Sequence, residues 1–437
     1  MKLKKTYIHF AVLLVSAVGY ALLHYVVGRE QFHILFPIYL VIFLTYAYLA
    51  FFNRPRLKHL FIGGVLLRLV FFFSPPSWSD DYHRFCWDGM LTKHGYSPYE
   101  YLPNEIRQVD FDFFKMYMPM YDNLNSQEYY SVYPTALQGL FVISAQIGRT
   151  PKGFVWTLRL LMILAECLTM VLMVSLLRNL EMLPELAGIY FLNPLIIIEL
   201  NGNMHNEVFM ILFVMAALWF FHKKSWLMSG FALALAVSCK LYPLMLAPLL
   251  FLKFGKGKWR FALSFVLGMI LLFAPIIPYW PHIQESINLY YQKFEFNGGI
   301  YFFFRWLLRK LTLFNPIEFL GPILGLVGMC IIGVVYLRNM EKKSRSIFLD
   351  ITWIMLAIYG LSTTVHPWYL SLMIAMVVFT RQRFAIIWSL LIVLSYYTYM
   401  SVPYKESYAL VAFEWIAVMC WLAYETLSKR KKLELAE

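Results

Sequence analysis

Apolar runs of about twenty residues recur from one end of the chain to the other, and no other feature restricts its fold as strongly. At 1.5 Å of rise per residue, a helix of about 20 residues crosses the roughly 30 Å hydrocarbon core of a bilayer. In lipid every backbone N–H and C=O has to be satisfied within the protein, which helices do and open strands do not. The rest of the composition agrees. Of 437 residues, 60% are apolar and 14% charged, where soluble domains carry roughly 25% charge. A disordered chain, a disulfide-stapled secreted scaffold and an ordinary soluble enzyme are all excluded. The sequence predicts an all-α polytopic transmembrane helical bundle.

The five cysteines (Cys86, Cys167, Cys239, Cys330 and Cys420) are widely spaced without a CxxC pair, as small packing residues are. The net charge of +13 does not point to nucleic acid. Its basic residues sit in short clusters between apolar runs, where orientation signals lie. These clusters are residues 2–5, 54–58, 223–224, 253–260, 338–345, 381–383 and 429–432. The opening MKLKK and the apolar run after it read as a retained first span, not a cleaved leader.

With basic clusters taken as cytoplasmic, the spans expected are 7–27, 31–51, 59–75, 155–177, 186–198, 207–222, 226–239, 241–252, 260–280, 317–337, 347–364, 367–380, 384–400 and 407–427. That is about 12–14 spans, allowing for segments too short to cross, with both termini cytoplasmic in the cell (inner or plasma) membrane. About 23 of the 38 Lys and Arg then lie inside, about 13 lie outside, and Arg68 and Arg159 lie within spans. Residues 132–147 are apolar enough to cross, but crossing would move the 223–224 and 253–260 clusters outside. They are therefore expected as a short helix at the outer face. Segments 226–239 and 241–252 are expected as half-depth helices meeting near Lys240, which requires protein around the break. The organisation expected is an N-terminal hairpin (1–58), a membrane catalytic domain (59–427) and a basic cytoplasmic tail (428–437). Within the domain lie a structured external loop (76–154) and a second external region (281–316). In the latter, FNGGIYFFFRWLLRKLTLF reads as an interfacial amphipathic helix.

On this map several polar stretches face one side. The densest is Ser79-Asp80-Asp81-Tyr82-His83-Arg84, followed by Trp87-Asp88-Gly89 and Gly95-Tyr96-Ser97-Pro98-Tyr99. Adjacent carboxylates repel, which raises the proton affinity of one and suits it to be a general base. The same acids, with Ser79, equally suit the cap of a following helix. Asn193-Pro194 and the stretch from Glu199 through Asn203, His205 and Asn206 to Glu207 form a second polar turn. Lys240 interrupts an apolar hairpin and needs an acid, an anionic ligand or water. His366 lies in Val365-His366-Pro367-Trp368-Tyr369, and Arg305 lies where it can face an anion or lipid head groups. Arg68 needs an internal partner, for which Glu166 and Glu199 are both candidates. A carboxylate that deprotonates a hydroxyl, beside cations that stabilise a departing phosphate, is what transfer from a phosphate leaving group requires. No Walker loop, GxGxxG, HExxH or GxSxG element occurs in a convincing context.

The Ser79–Phe85 stretch and Gly95-Tyr96-Ser97-Pro98-Tyr99 resemble the first external loop of the membrane-embedded GT-C glycosyltransferases. The likeness is nearest to the GPI mannosyltransferase that adds the first mannose and to bacterial polyprenyl-phosphate-mannose-dependent enzymes. Asp81 matches the second acid of the family's Asp-x-Asp-Tyr motif. Ser79 stands in place of the first, and Asp80 occupies the variable position. Tyr130-Ser131-Val132-Tyr133-Pro134, Leu192-Asn193-Pro194, Asn203-Met204-His205-Asn206-Glu207, Lys240-Leu241-Tyr242-Pro243, Phe296-Asn297-Gly298-Gly299 and His366-Pro367-Trp368-Tyr369 also have counterparts. Together they run from about residue 60 to 380, with the first two spans as an addition.

The resemblance implies a GT-C-type bundle and an inverting transfer of a hexose, mannose before others. The donor would be a polyprenyl-phosphate sugar and the acceptor a lipid or glycan at the external face of the cell envelope. No nucleotide cofactor or metal site is implied, although a divalent ion is left open. The candidate catalytic residues are Asp81, with Asp80 second. Arg84, Lys240, His366 and Arg305 are donor-phosphate candidates, and His205, Glu207, Tyr82 and Asn203 are pocket candidates. Tyr82, Trp87 and Tyr99 are candidates for stacking on sugar faces. The partners expected are donor, acceptor and membrane lipids, with no nucleic acid. A lipid-linked sugar flippase or transporter would place charges at mid-depth on several spans. A membrane acyltransferase or ligase would use His205 or His366. Neither accounts for the acidic pair with its Ser-Pro-Tyr spacing.

Overall fold

The computed structural model describes residues 2–311, 314–341 and 346–434, with side chains outside that description at 2–6, 289–293, 341 and 429–434. Among the described residues all regular structure is helical, apart from isolated bridges from Phe296 and Asn297 to Thr364. This is the all-α bundle expected. Among the described residues, six helices are long and apolar enough to cross a membrane: Tyr7–Tyr25, Phe32–Phe52, Pro151–Asn179, Gly255–Asn288, Ile317–Met340 and Tyr408–Ser428. The bent pair Pro194–Gly202 and Glu207–His222, which turns by 118°, makes a seventh if counted as one broken span.

Several other expected spans are helices of only 10–17 residues: Trp226–Val237, Tyr242–Lys253, Ile347–Gly360, Pro367–Val377 and Phe384–Met400. Expected span 59–75 is a 13-residue helix, Leu57–Leu69, followed by turns. Apolar content alone overcounts full-length spans, because several apolar segments are too short to cross and Pro248 starts a new helical turn inside expected segment 241–252. The long helices are mostly the least buried, at 17–39% of their apolar windows, with Pro151–Asn179 at 56%. The short helix Ser371–Val377 is buried throughout. Exposed apolar flanks on long helices and sealed short ones are what a lipid solvent produces.

The chain divides into two compact units. One comprises Met1–Pro55, Leu186–Ile196 and Gln292–Glu437, and the other Arg56–Glu185 and Ile197–Tyr291. In the first unit, Lys2–Tyr25 packs along Phe32–Ala47, with the Ser16 and Thr45 hydroxyls 2.7 Å apart. Tyr39 donates to the Ser389 carbonyl at 2.6 Å and Tyr46 to that of Ile189 at 2.8 Å. Asn193 is buried there, bonded to Ser389 Oγ and capping the Leu195 N–H. The Asn-Pro element therefore works as a helix start. The final helix continues to Glu434, and the basic side chains expected from 429 onward lie outside the described residues.

In the second unit, helix Asp81–Lys93 lies between Thr135–Gly148 and the loop above it. Gly89 is required at that crossing, since a Cβ there would meet the Phe141 carbonyl oxygen at 2.6 Å. Thr135–Gly148 is the short helix expected over 132–147 and packs against both Asp81–Lys93 and Pro151–Asn179. Pro151–Asn179 begins with Thr150 accepting from the Gly153 N–H and Pro151 in the first turn, a strong helix start. Trp226–Val237 and Tyr242–Lys253 form the expected pair of short helices, broken at 238–241 where Lys240 sits.

Candidate active site

Three side chains of the second unit form a line. Asp81 opens helix Asp81–Lys93, with its N–H bonded to Ser79 Oγ at 3.3 Å. Its carboxylate is 32% exposed and lies 3.9 Å from Nδ1 of His205, which is 2% exposed. On the other side, Nε2 of His205 is 3.4 Å from the buried Glu199 carboxylate. Asn125 donates to Asp81 at 3.2 Å, and Asn203 to Glu199 at 3.0 Å. The result is an accessible acid, a buried imidazole and a buried second acid in sequence. Both gaps exceed hydrogen-bond length here, and closing them by less than 1 Å would make the line a path for a proton away from the exposed carboxylate. Two residues on, buried Glu207 holds Lys240 Nζ at 2.7 Å, and Lys240 is 36% exposed. A cation is thus anchored at one end and open at the other.

The backbone explains this convergence. Residues Ile197–Gly202 are wound as a π-helix, and Met204 adopts φ +61° before the next helix starts at Glu207. Left-handed backbone at a non-glycine residue is uncommon and marks a place that the surroundings dictate. Arg159, fully buried in the apolar Pro151–Asn179 helix, supplies those surroundings. Its guanidinium donates to the carbonyls of Asn201 and Gly202 on one side and of Phe71, Phe72 and Ser74 on the other, at 2.6–3.2 Å. One side chain thereby ties the loop leading to Asp81 to the break carrying His205. Below it, Arg68 pairs with Glu166 and Asn201 donates to the same carboxylate, all buried. Of the two partners open to Arg68 in the sequence, the fold selects Glu166.

Asp80 occupies the N-cap position without a side-chain cap bond, and its charge acts on His83. Burial holds the His83 imidazole below its usual pKa, and Asp80 partly offsets this. The two acids therefore face different histidines. Tyr82 sits beside His83 with ring centroids 4.0 Å apart, and burial pushes its phenol up to about 12.

Other candidates are placed differently. Arg84 is buried, bonded to Asp88 at 2.7 Å and to the Ser126 and Tyr129 carbonyls at 2.9 and 2.8 Å. Asp88 in turn accepts from Ser131 at 2.6 Å and Gln138 at 2.8 Å. Arg84 is thus spent on pinning the loop, and this arrangement gives a phosphate no access to it. Trp87 and Tyr99 are core residues rather than sugar platforms, at 0% and 6% exposure. Tyr99 O–H donates to the Tyr133 carbonyl at 2.6 Å, and the Ser131 N–H to that of Pro98 at 3.0 Å. The Ser-Pro-Tyr and Tyr-Pro elements therefore lock onto each other.

Two candidates belong to the first unit. Arg305 pairs with Glu295 and donates to the Tyr408 hydroxyl oxygen at 2.6 Å, with its guanidinium 4.5 Å from the Phe302 ring. His366 stacks on Phe296 at 4.6 Å and Trp368 at 4.3 Å. The FNGG element is structural as well. Asn297, at φ +51°, donates to Glu414 and takes the Glu406 carboxylate on its own N–H. A Cβ at Gly299 would strike the Trp415 indole at 2.2 Å. Glu199, Asn125 and Arg159 were not among the site residues read from the sequence. For Glu199 the available signal was its place at the start of the polar turn at 199–207, and for Arg159 a charge inside an apolar run; Asn125 gave none. Among the described residues, no group of three or more His, Cys, Asp or Glu side chains is disposed to hold a metal ion.

Residues 40–255 match the family model described as the alpha-(1->6)-mannopyranosyltransferase N-terminal domain. The match supports a membrane mannosyltransferase of the GT-C type. It covers just under half of the chain and includes Asp81, Glu199, His205, Glu207 and Lys240, while Arg305 and His366 lie beyond it. No curated protein and no solved structure matches the chain. The superfamily and the sugar expected from the motifs agree with the family match.

Proposed function

We propose that this membrane mannosyltransferase takes mannose from a polyprenyl-phosphate donor and passes it to a lipid or glycan acceptor, at the external face of the cell membrane and with inversion. The single observation carrying this reading is the line Asp81–His205–Glu199, with its exposed end at Asp81 and the Glu207–Lys240 pair on the same chain break. Asp81 takes the proton of an acceptor hydroxyl while that oxygen forms a bond to the sugar C1. The bond from C1 to the phosphate oxygen breaks, and its electron pair leaves on the phosphate. Lys240 offsets the charge that develops there. His205, oriented by Glu199, holds the Asp81 carboxylate in place and receives its proton afterwards. Asn203 and Tyr82 line the pocket. Asp80, directed at His83, is not the base.

The test is transfer by the purified protein from polyprenyl-phosphate mannose to a membrane lipid and glycan extract, with Asp81→Asn and Asp80→Asn in parallel. Wild type is expected to release polyprenyl phosphate and form a mannosylated product. Asp81→Asn is expected to bind donor without turnover, and Asp80→Asn to keep most activity. Full activity in Asp81→Asn overturns the assignment of the base. A wild type that binds but never consumes any polyprenyl-phosphate sugar overturns the transfer reading.

A further inference from the structure

Away from the Asp81 site, helices Leu57–Leu69 and Pro151–Asn179 frame a groove of about 760 Å³. Its walls are apolar, with Phe61 and Ile62 on one helix and Val171 and Val174 on the other. One end is cationic. Lys58 stands one turn before Ile62, and Arg178 one turn after Val174, so each charge continues the apolar stripe of its own helix. Both cations are exposed, neither has an ion-pair partner among the described residues, and no acidic side chain lines the groove. From Val171 to Arg178 the helix rises about 10 Å, a large part of one leaflet's hydrocarbon depth of about 15 Å. Ile62 and Val171 are 44% and 58% exposed, so the groove is open along its side, as entry from lipid requires.

We propose that this groove is a binding site for an anionic diacyl phospholipid. An acyl chain lies between Ile62 and Val171, and the phosphate head group is held by Lys58 and Arg178. A chain alone would need only the apolar walls, and a soluble anion only the cations. The two in register on both helices fit a lipid with a charged head. The site shares no residue with the Asp81 centre, so the proposal does not depend on the transfer reaction.

The experiment measures lipid retention by native mass spectrometry. Purified full-length protein is exchanged with phosphatidylglycerol and phosphatidylcholine of matched chains. Near a membrane surface each Lys or Arg contributes about 5-fold in preference for anionic lipid. Wild type should therefore retain phosphatidylglycerol over phosphatidylcholine by roughly 30-fold at one site. Lys58→Gln with Arg178→Gln should abolish the preference while phosphatidylcholine is still retained. Val174→Trp, which fills the groove, should displace both lipids. Lys152→Gln, an exposed cation elsewhere, should change nothing. Lys58→Arg with Arg178→Lys keeps the charges and should keep the preference, which separates a binding loss from a folding loss. Equal retention of the two lipids by wild type overturns the proposal. So does an undiminished preference in the double Gln variant, or full competition by millimolar inorganic phosphate, which would indicate a free-anion site.

Discussion

The break around His205 in one unit and the Asn297–Glu414 cluster in the other are built from the same residue types, yet they are finished differently. Around Asn297, Glu414 is fully buried and accepts from Trp388 and Asn297, Glu406 takes a backbone N–H, and Glu295 and Tyr408 hold Arg305. These hydrogen bonds join the FNGG turn to the last helix, and the Glu414 carboxylate and the Arg305 guanidinium are buried among them. Around His205, the acids and the imidazole are also supported from below, but Asp81 and Lys240 remain about one-third exposed at the surface end. Buried polar networks stiffen a fold when every member is satisfied. A reacting group needs the same support beneath and an open side above. Exposure at the tip, more than the kinds of residue present, separates a scaffold cluster from a candidate site.

The largest effect should come from exchanging one carboxylate in each place. Asp81→Asn is expected to lower turnover by about 10²–10⁴-fold, the range for loss of a general base. Glu414→Gln should leave turnover per folded molecule unchanged. A comparable loss of turnover in both would break the distinction.

The next effect concerns the support beneath the site. Arg68→Met leaves Glu166 buried without its cation and should cost about 3–5 kcal/mol of stability. The double variant Arg68→Met, Glu166→Leu removes both charges and should recover much of that. Thermal denaturation in detergent reads both values. A double variant no better than the single would show that the ion pair is not what the site rests on.

A smaller effect is expected in the sealed cluster. Gly299→Ala places a Cβ against Trp415 and should cost about 1–3 kcal/mol through overpacking, with kcat/KM per folded molecule retained. A variant with wild-type melting but lost activity would place the FNGG turn in the chemistry instead.

The smallest is a pH effect at Glu406, whose carboxyl burial raises to about 7, with the Asn297 N–H and Arg305 opposing. The folded state then keeps a proton that the unfolded chain loses near 4.5. Stability from this group is present at low pH and declines as pH rises from about 4.5 through 7. The melting temperature of Glu406→Gln should fall less than that of wild type between pH 5 and pH 8. Parallel curves would show that Glu406 titrates alike in both states.

Much of this molecule was legible in order along the chain. The Asp81 helix start, the short helix after Pro134, the paired short helices around Lys240 and the polar turn at 199–207 were each marked by a local change from apolar to polar. The count of full-length spans was not, because hydropathy reports how apolar a segment is and not where proline or π-winding breaks it. The roles of the arginines were not legible either. Arg84, Arg159 and Arg305 read alike as cations near external or apolar segments, and all three are occupied by partners from 4 to 103 positions away, most of them more than 40 away.

By itself, the sequence determined that the chain is an all-helical membrane protein and that its polar residues gather in a few stretches resembling a glycosyltransferase superfamily. These properties follow from composition and spacing, which lipid as a solvent reads directly. Only the tertiary structure decided which charges neutralise one another inside and which are left facing out. Arg68 chose Glu166, Arg84 was withdrawn from the surface, Glu199 was placed behind His205, and Asp81 was left open. A buried charge is tolerable only with partners on all sides, and those partners come from distant segments whose approach no local pattern encodes.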